Sequence, residues 1–498
     1  MNRKNTWTGY SQKQMKEADR FAEDYKAFLD SAKTEREAID SIVNEIEKSG
    51  YVELSSLING KKKLQKGDKV YSVWMNKSVV MFRIGSEPME NGMNILGAHI
   101  DSPRLDVKQN PLYEDGGFAY LDTHYYGGIK KYQYVALPLA LHGVVVRKDG
   151  TTVQLNVGED EDDPVFFVSD LLIHLAQEQM GKKASEVIEG EALDLIIGNK
   201  PLIIDNSEKE KAEKKNEKLT AGQQYAMDAE KAESDEKKKV SGAVKRGIMA
   251  ILKDNYGFEE DDFISAELEI VPAGKARDAG FDRSMVFAYG QDDRVCAYPS
   301  MRAILAAENL RRTACCILVD KEEIGSVGAT GMQSHFFENA VAEVMNLMGD
   351  YNDIKLRRCL ANSSMLSSDV SSAYDPNYAS AFERKNVAFL GGGMVFNKFT
   401  GSRGKYSSND ANAEYIAHIR NIFDQEKINF QTAELGKVDV GGGGTIAYIL
   451  ALYGMNVIDS GVPVLNMHAP WEATSKADIY EVLRGYIAFL ENAAFRNE

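Results

Sequence analysis

The spacing of apolar side chains changes several times along the chain, and each change marks a different element. Residues 11–49 carry apolar positions at helical spacing among many charges and stop at Ser49-Gly50, which predicts helix. YSVWM and SVVMFRI, alternating or continuously apolar on either side of Asn76-Lys77, predict two short strands. MNILGAHID is an apolar run that turns polar at its end. That is the pattern of a buried α/β strand delivering its last residues to the C-terminal edge of a sheet.

From about residue 107 to 168 the glycine pairs Gly116-Gly117 and Gly127-Gly128, with the runs ALHGVVV and TTVQLNV, predict antiparallel hairpins. After about residue 245, strand-like SAELEIVPAG, TACCILVD, MLSSDVSS and VPVLNMHAP alternate with helix-like SMRAILAAENLRR, HFFENAVAEVMNLM, ANAEYIAHIRNIF and ADIYEVLRGYIAFLENA. The alternation predicts an α/β fold with a doubly wound, largely parallel sheet. Residues 1–105 and 250–498 would form it, interrupted by an inserted β-rich domain over 106–249. Within the insert, about 205–240 reads EKEKAEKKNEK and then AEKAESDEKKK. With almost no apolar residue it builds no core, and it is read as an exposed insertion.

Composition narrows the partners. The chain has 75 acidic against 59 basic residues, a net charge of −16, which argues against a general nucleic-acid or anionic-membrane binder. No apolar run reaches the roughly 18 residues of a membrane span, and MNRKNTWTGYSQKQ lacks the apolar core of a secretion signal. The four cysteines contain no CxxC pair, and Cys315-Cys316 lie inside TACCILVD. Buried free thiols in a reducing, cytoplasmic compartment are expected.

The candidate chemistry gathers where strands are expected to end. His99 sits in an H-x-D sequence, where Asp101 can hold one imidazole nitrogen and leave the other for a metal. Asp292-Asp293 follows MVFAYG, Asp320 to Glu323 follows TACCILV, Asp369 ends MLSSD, and His468 ends VPVLNMH. All five clusters are expected at the ligand-binding edge of one sheet. Carboxylates brought together there repel unless a cation neutralises them. Two histidines and three carboxylates suit two zinc-like ions with one carboxylate bridging, and Mn or Co suit the set as well. Glu322-Glu323 then supplies both a ligand and a general base, so the sum is a two-metal hydrolase. Gly391–Gly393 and Gly441–Gly444 are read either as anion-holding backbone or as tight turns at a crowded edge.

Several long motifs occur in one order: GAHIDSPRLDVK, THYYGGIKKYQYVALPLALHGVV, GQDDRVCAY, DKEEIGSVGATG, SSDVSSAYDPNY, KFTGSRGKYSSNDAN and MHAPWE. In them the chain resembles the aspartyl aminopeptidase and aminopeptidase I family of dinuclear zinc exopeptidases, from about residue 90 to the end. The resemblance implies Asp292 as bridging carboxylate, taken over Asp293 because the family's bridging aspartate directly follows the strand. It implies His99 and Asp369 on one ion, Glu323 and His468 on the other, Glu322 as general base and Asp101 as the residue that orients His99. A metal-bridging water would attack the N-terminal peptide bond of short peptides. The family also implies a dimerisation or lid role for the inserted domain and assembly into a tetrahedral dodecamer.

His174, in SDLLIHLAQEQ, lies near where the family has a histidine reaching a neighbouring subunit's active site; a helix-packing histidine is the other reading. Aspartyl-specific members place a lysine where this chain has Val395, and the local loop resembles the aminopeptidase I branch. Neutral or apolar N-terminal residues are therefore expected, although Lys398, Arg403 and Lys405 are at hand for acidic ones. A two-metal deacylase or carboxypeptidase, and a catalytically silent assembly protein, are the competing readings.

Overall fold

The computed structural model describes residues 4–202, 220–224 and 242–495. The Lys/Glu-rich stretch at about 205–240 therefore lies, apart from 220–224, outside the described residues. The contacts divide the chain into two compact units, 1–102 with 275–498 and 103–274.

The first unit is built on a mixed nine-stranded sheet. Its centre is parallel: Asn94–His99 runs between Ala314–Val319 and Ser364–Ser368, and Asn456–Gly461 follows beyond. The hairpin Lys69–Trp74 and Ser78–Arg83 joins antiparallel on one side. It turns through Met75, Asn76 and Lys77, the first two with positive φ, which suits the twist of the flanking strands.

Alternation along the central strands sends apolar side chains to both faces. Leu96, Ala98, Cys316, Leu318, Leu366 and Ile458 enter one core. Ile95, Cys315, Ile317, Val319, Met365 and Val457 enter the other. The vicinal cysteines thus point to opposite faces, and all four thiols are free and buried. The first core is capped by helices Gln12–Ser31, Glu35–Lys48, Gln291–Ala306, Ala413–Gln425 and Lys476–Asn492, the second by Phe336–Leu347 and Asp353–Asn362. The helical stretch expected over 11–49 is two helices. Thr34 accepts from Glu37 N–H while Glu37 reaches back to the Thr34 N–H, a capping box that restarts the helix after Ala32.

Two expectations need correction. The run SAELEIVPAG does form a strand, Ala266–Pro272, but it belongs to the second unit. There it pairs antiparallel with Leu139–Val146 over seven residue pairs and with Arg104–Asp115, inside a six-stranded sheet. The boundary expected at 249/250 therefore falls at 274/275, and the one expected at 105/106 falls at 102/103. The second correction concerns the strand ends. Met285–Ala288 and Pro463–Leu465 lie in a separate five-stranded sheet. Asp292 and His468 are thus delivered from that sheet, while His99, Glu322, Glu323 and Asp369 come from the nine-stranded one.

Candidate metal centre

Five segments converge within the first unit. His99 ends its strand and is buried, with Nδ1 lying 3.0 Å from the Asp101 carbonyl oxygen and 3.2 Å from Asp101 Oδ1. Asp101 does more than sequence reasoning assigned to it. Its two carboxylate oxygens accept the backbone N–H groups of Glu322 and Glu323, each at 3.1 Å. One carboxylate therefore fixes the imidazole and the short turn Glu322–Ile324 together. Lys321, at the start of that turn, has φ +71°, a left-handed conformation that the surrounding bonds hold in place.

The free edge of His99 faces carboxylates: Nε2 is 3.2 Å from Asp292 Oδ1, 3.8 Å from Asp369 Oδ1 and 4.0 Å from Glu322 Oε2. His468 faces the same aspartate from the other side, with Nε2 3.2 Å from Asp292 Oδ2 and 3.5 Å from Glu323 Oε1. Asp292 thus offers one oxygen to each histidine. Three sets of side chains bring donor atoms within 4.8 Å of one another: His99, Glu322 and Asp369; His99, Asp292 and Glu323; Asp292, Asp293 and Asp369.

Electrostatics separates the two neighbouring aspartates. Burial works to raise Asp292, but the His468 and His99 imidazoles beside it outweigh that and hold the carboxyl well below the usual range. Asp293, buried beside Cys296, is pushed well above it by burial and by the charge of Asp369. His99 is raised despite its burial, because Asp101, Asp292 and Asp369 favour its charged form. Burial and the charge of Asp369 push Glu322 up to about 8. Glu323 rises well above the carboxylate range through burial and Asp292, and Asp369 rises chiefly through burial. Asp292 Oδ1 and Glu323 Oε1 are buried without a hydrogen-bond partner. So many buried carboxylates, some with orphaned oxygens, fit a cation and little else.

Asp292, Glu322, Glu323, Asp369 and His468 line a cavity of about 850 Å³. Gly442–Gly444 line it as well, whereas the other glycine run is structural: Gly391 and Gly393 N–H groups each donate to the buried Asp478 carboxylate at 2.7 Å. Of the remaining expected residues, His174 is an exposed turn residue of the second unit, not a residue packed on a helix face. Lys398 pairs with Asp410, which also takes Lys405 at 2.9 Å. Sequence reasoning missed Asp459, a buried cavity-lining carboxyl that accepts the Thr445 hydroxyl at 2.5 Å and that burial pushes up to about 7. It also missed Glu472, although MHAPWE contains it.

A cavity walled by the His468 imidazole and a set of carboxylates, with His99 buried against them, suits a metal-dependent hydrolase. Residues 28–490 match the model of the aminopeptidase I zinc metalloprotease family, M18. A probable M18 family aminopeptidase 1 from Clostridium acetobutylicum is 58% identical over 489 residues, covering 98% of each chain. The crystal structure of an M18 aminopeptidase from Thermotoga maritima superposes with a TM-score of 0.87 at 40% identity, covering 99% of both chains. The fold extends to the Saccharomyces cerevisiae mApe1 dodecamer, at 18% identity and TM-score 0.70, covering 94% of this chain and 96% of that one. The chain belongs to the M18 family, and it is an aminopeptidase of the zinc-metalloprotease class.

One close approach in the site yields a prediction. A Cβ on Gly461 would lie 1.9 Å from the Asp369 carbonyl oxygen and 2.8 Å from its carbonyl carbon. Backbone cannot yield as a side-chain tip can, so Gly461→Ala must shift the main chain at Asp369. The expected cost is about 1–3 kcal/mol of stability, in the range of overpacked cores, together with weaker zinc binding. Urea unfolding of the metal-free protein and a zinc titration measure the two effects separately.

Proposed function

We propose that the centre holds two divalent cations, zinc by preference, shared by Asp292, with His99 and Asp369 on one and Glu323 and His468 on the other. The observation that carries this reading is the Asp292 carboxylate, whose two oxygens lie 3.2 Å from two different imidazoles. Bound there, the cations supply Lewis acidity to the scissile carbonyl and lower the pKa of a water. Glu322 takes the proton of the attacking water on its carboxylate and returns it to the departing amine. Asp101 keeps His99 and the Glu322–Ile324 turn in register throughout.

The substrates are short peptides with a neutral or apolar N-terminal residue. Among the described lining residues of the cavity none is Lys or Arg, while Val370, Leu435, Leu452 and Met467 give it apolar walls. Lys398 and Lys405 spend their charge on Asp410. Val395 is buried with Ala388 and Ala433. Initial rates on Leu-, Met-, Asp-, Glu- and Lys-initiated dipeptides, with and without chelator, test the reading. Chelator-sensitive turnover led by Leu or Met is expected; Asp or Glu in the lead contradicts the neutral pocket, and turnover of N-acetylated peptides points to a deacylase.

The unit 103–274 serves as the dimerisation or lid domain of a homo-oligomer, a dodecamer by analogy with the distant yeast structure and tetrahedral as the family resemblance implies. Leu171, Leu172, Ile173 and Leu175 are exposed there around His174, and such an apolar patch favours cover by another copy. His174 would then reach a neighbouring subunit's site. No helix among the described residues is long and apolar enough to cross a membrane. The buried free thiols favour the cytoplasm.

The raised carboxyls give a pH dependence with a definite sign. Below about 8 the metal-free centre holds protons on Glu322, and Glu323, Asp369 and His99 are raised too. A cation must displace them, so zinc affinity falls as pH drops and each binding event releases protons. Calorimetric titrations in buffers of different ionisation enthalpy are expected to report proton release, with affinity falling about tenfold per pH unit for each proton displaced.

A further inference from the structure

We infer that Glu472 is the positioning residue that sets the Asp292–His468 half of the metal centre. Glu472 opens the strand Glu472–Ser475 and is 1% exposed. Its two carboxylate oxygens are divided between two proposed ligands: Oε2 accepts the Asp292 N–H at 3.0 Å, and Oε1 accepts the His468 N–H at 2.9 Å. Its own carbonyl oxygen accepts Gln291 Nε2 at 2.6 Å, tying down the residue before Asp292 as well.

The need for such an anchor is visible in the backbone. His468 has φ +65°, a left-handed conformation that a non-glycine residue keeps only when its surroundings hold it. The N–H groups of Asp292 and His468 are buried or half-buried near acidic side chains, and a carboxylate is the acceptor that serves both at once. Asp101 works the same way on the opposite side, taking the Glu322 and Glu323 N–H groups at 3.1 Å each. Two buried carboxylates that need not touch a cation thus hold the main chain of four residues around it. Outer partners of this kind typically govern metal affinity by about 10–100-fold.

The inference rests on the two-cation reading, and the test separates them. Glu472→Gln replaces one acceptor oxygen with an NH₂ that faces an N–H donor, so one of the two bonds is lost. Zinc affinity is measured by competition with a chromophoric chelator, and thermal unfolding is followed on the metal-stripped protein. Glu481→Gln is the control: Glu481 is buried too and accepts the Asn429 N–H at 2.6 Å and the Tyr10 hydroxyl at 2.7 Å. The expected result is a tenfold or greater loss of zinc affinity in Glu472→Gln, with unfolding of the stripped protein shifted no more than in the control, whose zinc affinity stays at the parent value. Glu472→Asp, which keeps the charge but reaches only one N–H well, is expected between Gln and parent, and it carries the test if Gln does not fold. Parent-like zinc affinity in the 472 variants, or the same affinity loss in the control, would overturn the inference alone. A parent protein that binds no zinc would overturn the two-cation reading with it.

Discussion

Glu322→Gln is expected to lower turnover by about 10²–10⁴-fold, the usual contribution of a positioned general base, while the protein keeps its fold and its metal. The amide has nearly the shape of the carboxyl, so the Asp101 bonds that hold the Glu322–Ile324 turn through main-chain N–H groups are untouched. What is lost is the basic oxygen 4.0 Å from His99 Nε2 and the negative charge beside Asp369. Rate at saturating substrate and zinc per chain, measured on one preparation, check both halves. A rate within tenfold of the parent removes Glu322 from the proton transfer; loss of zinc makes it a ligand.

The second large effect is expected from Asp292→Ala. It removes both oxygens that face the two imidazoles, so each proposed cation loses a ligand in one substitution. It also takes away one of the carboxylates that favour the charged form of His99. Zinc content is expected to fall from two per chain to one or none, and hydrolysis to drop below detection. His468→Ala, which touches one cation only, is expected to keep one zinc. Two tightly held ions in Asp292→Ala would show that Asp293, buried beside it, is the shared carboxylate instead.

The difference between what the sequence disclosed and what it hid has physical causes. Strands such as Asn94–His99 and helices such as Lys476–Asn492 follow from apolar period alone, because their pattern is long and their packing one-sided or wholly buried. Ala266–Pro272 reads as a strand as plainly as a central one does, and its sheet is chosen by pairing with Leu139–Val146 more than a hundred residues earlier. No local pattern carries that choice. The proposed ligands were legible because side chains that bind cations are rare types at strand ends. Glu472 was not, since it acts through main-chain N–H groups, one of them 180 residues away in sequence. That the proposed ligands come from two sheets was hidden for the same reason: Met285–Ala288 reads as an ordinary buried strand and joins its sheet through Glu472–Ser475.

A two-cation centre shared by Asp292 stands or falls on titrating zinc into the metal-stripped protein while following hydrolysis of a Leu-initiated dipeptide. The rate is expected to stay low until the second equivalent binds and to reach its plateau at two zinc ions per chain. A full rate at one ion per chain, or hydrolysis that persists without metal, would contradict it.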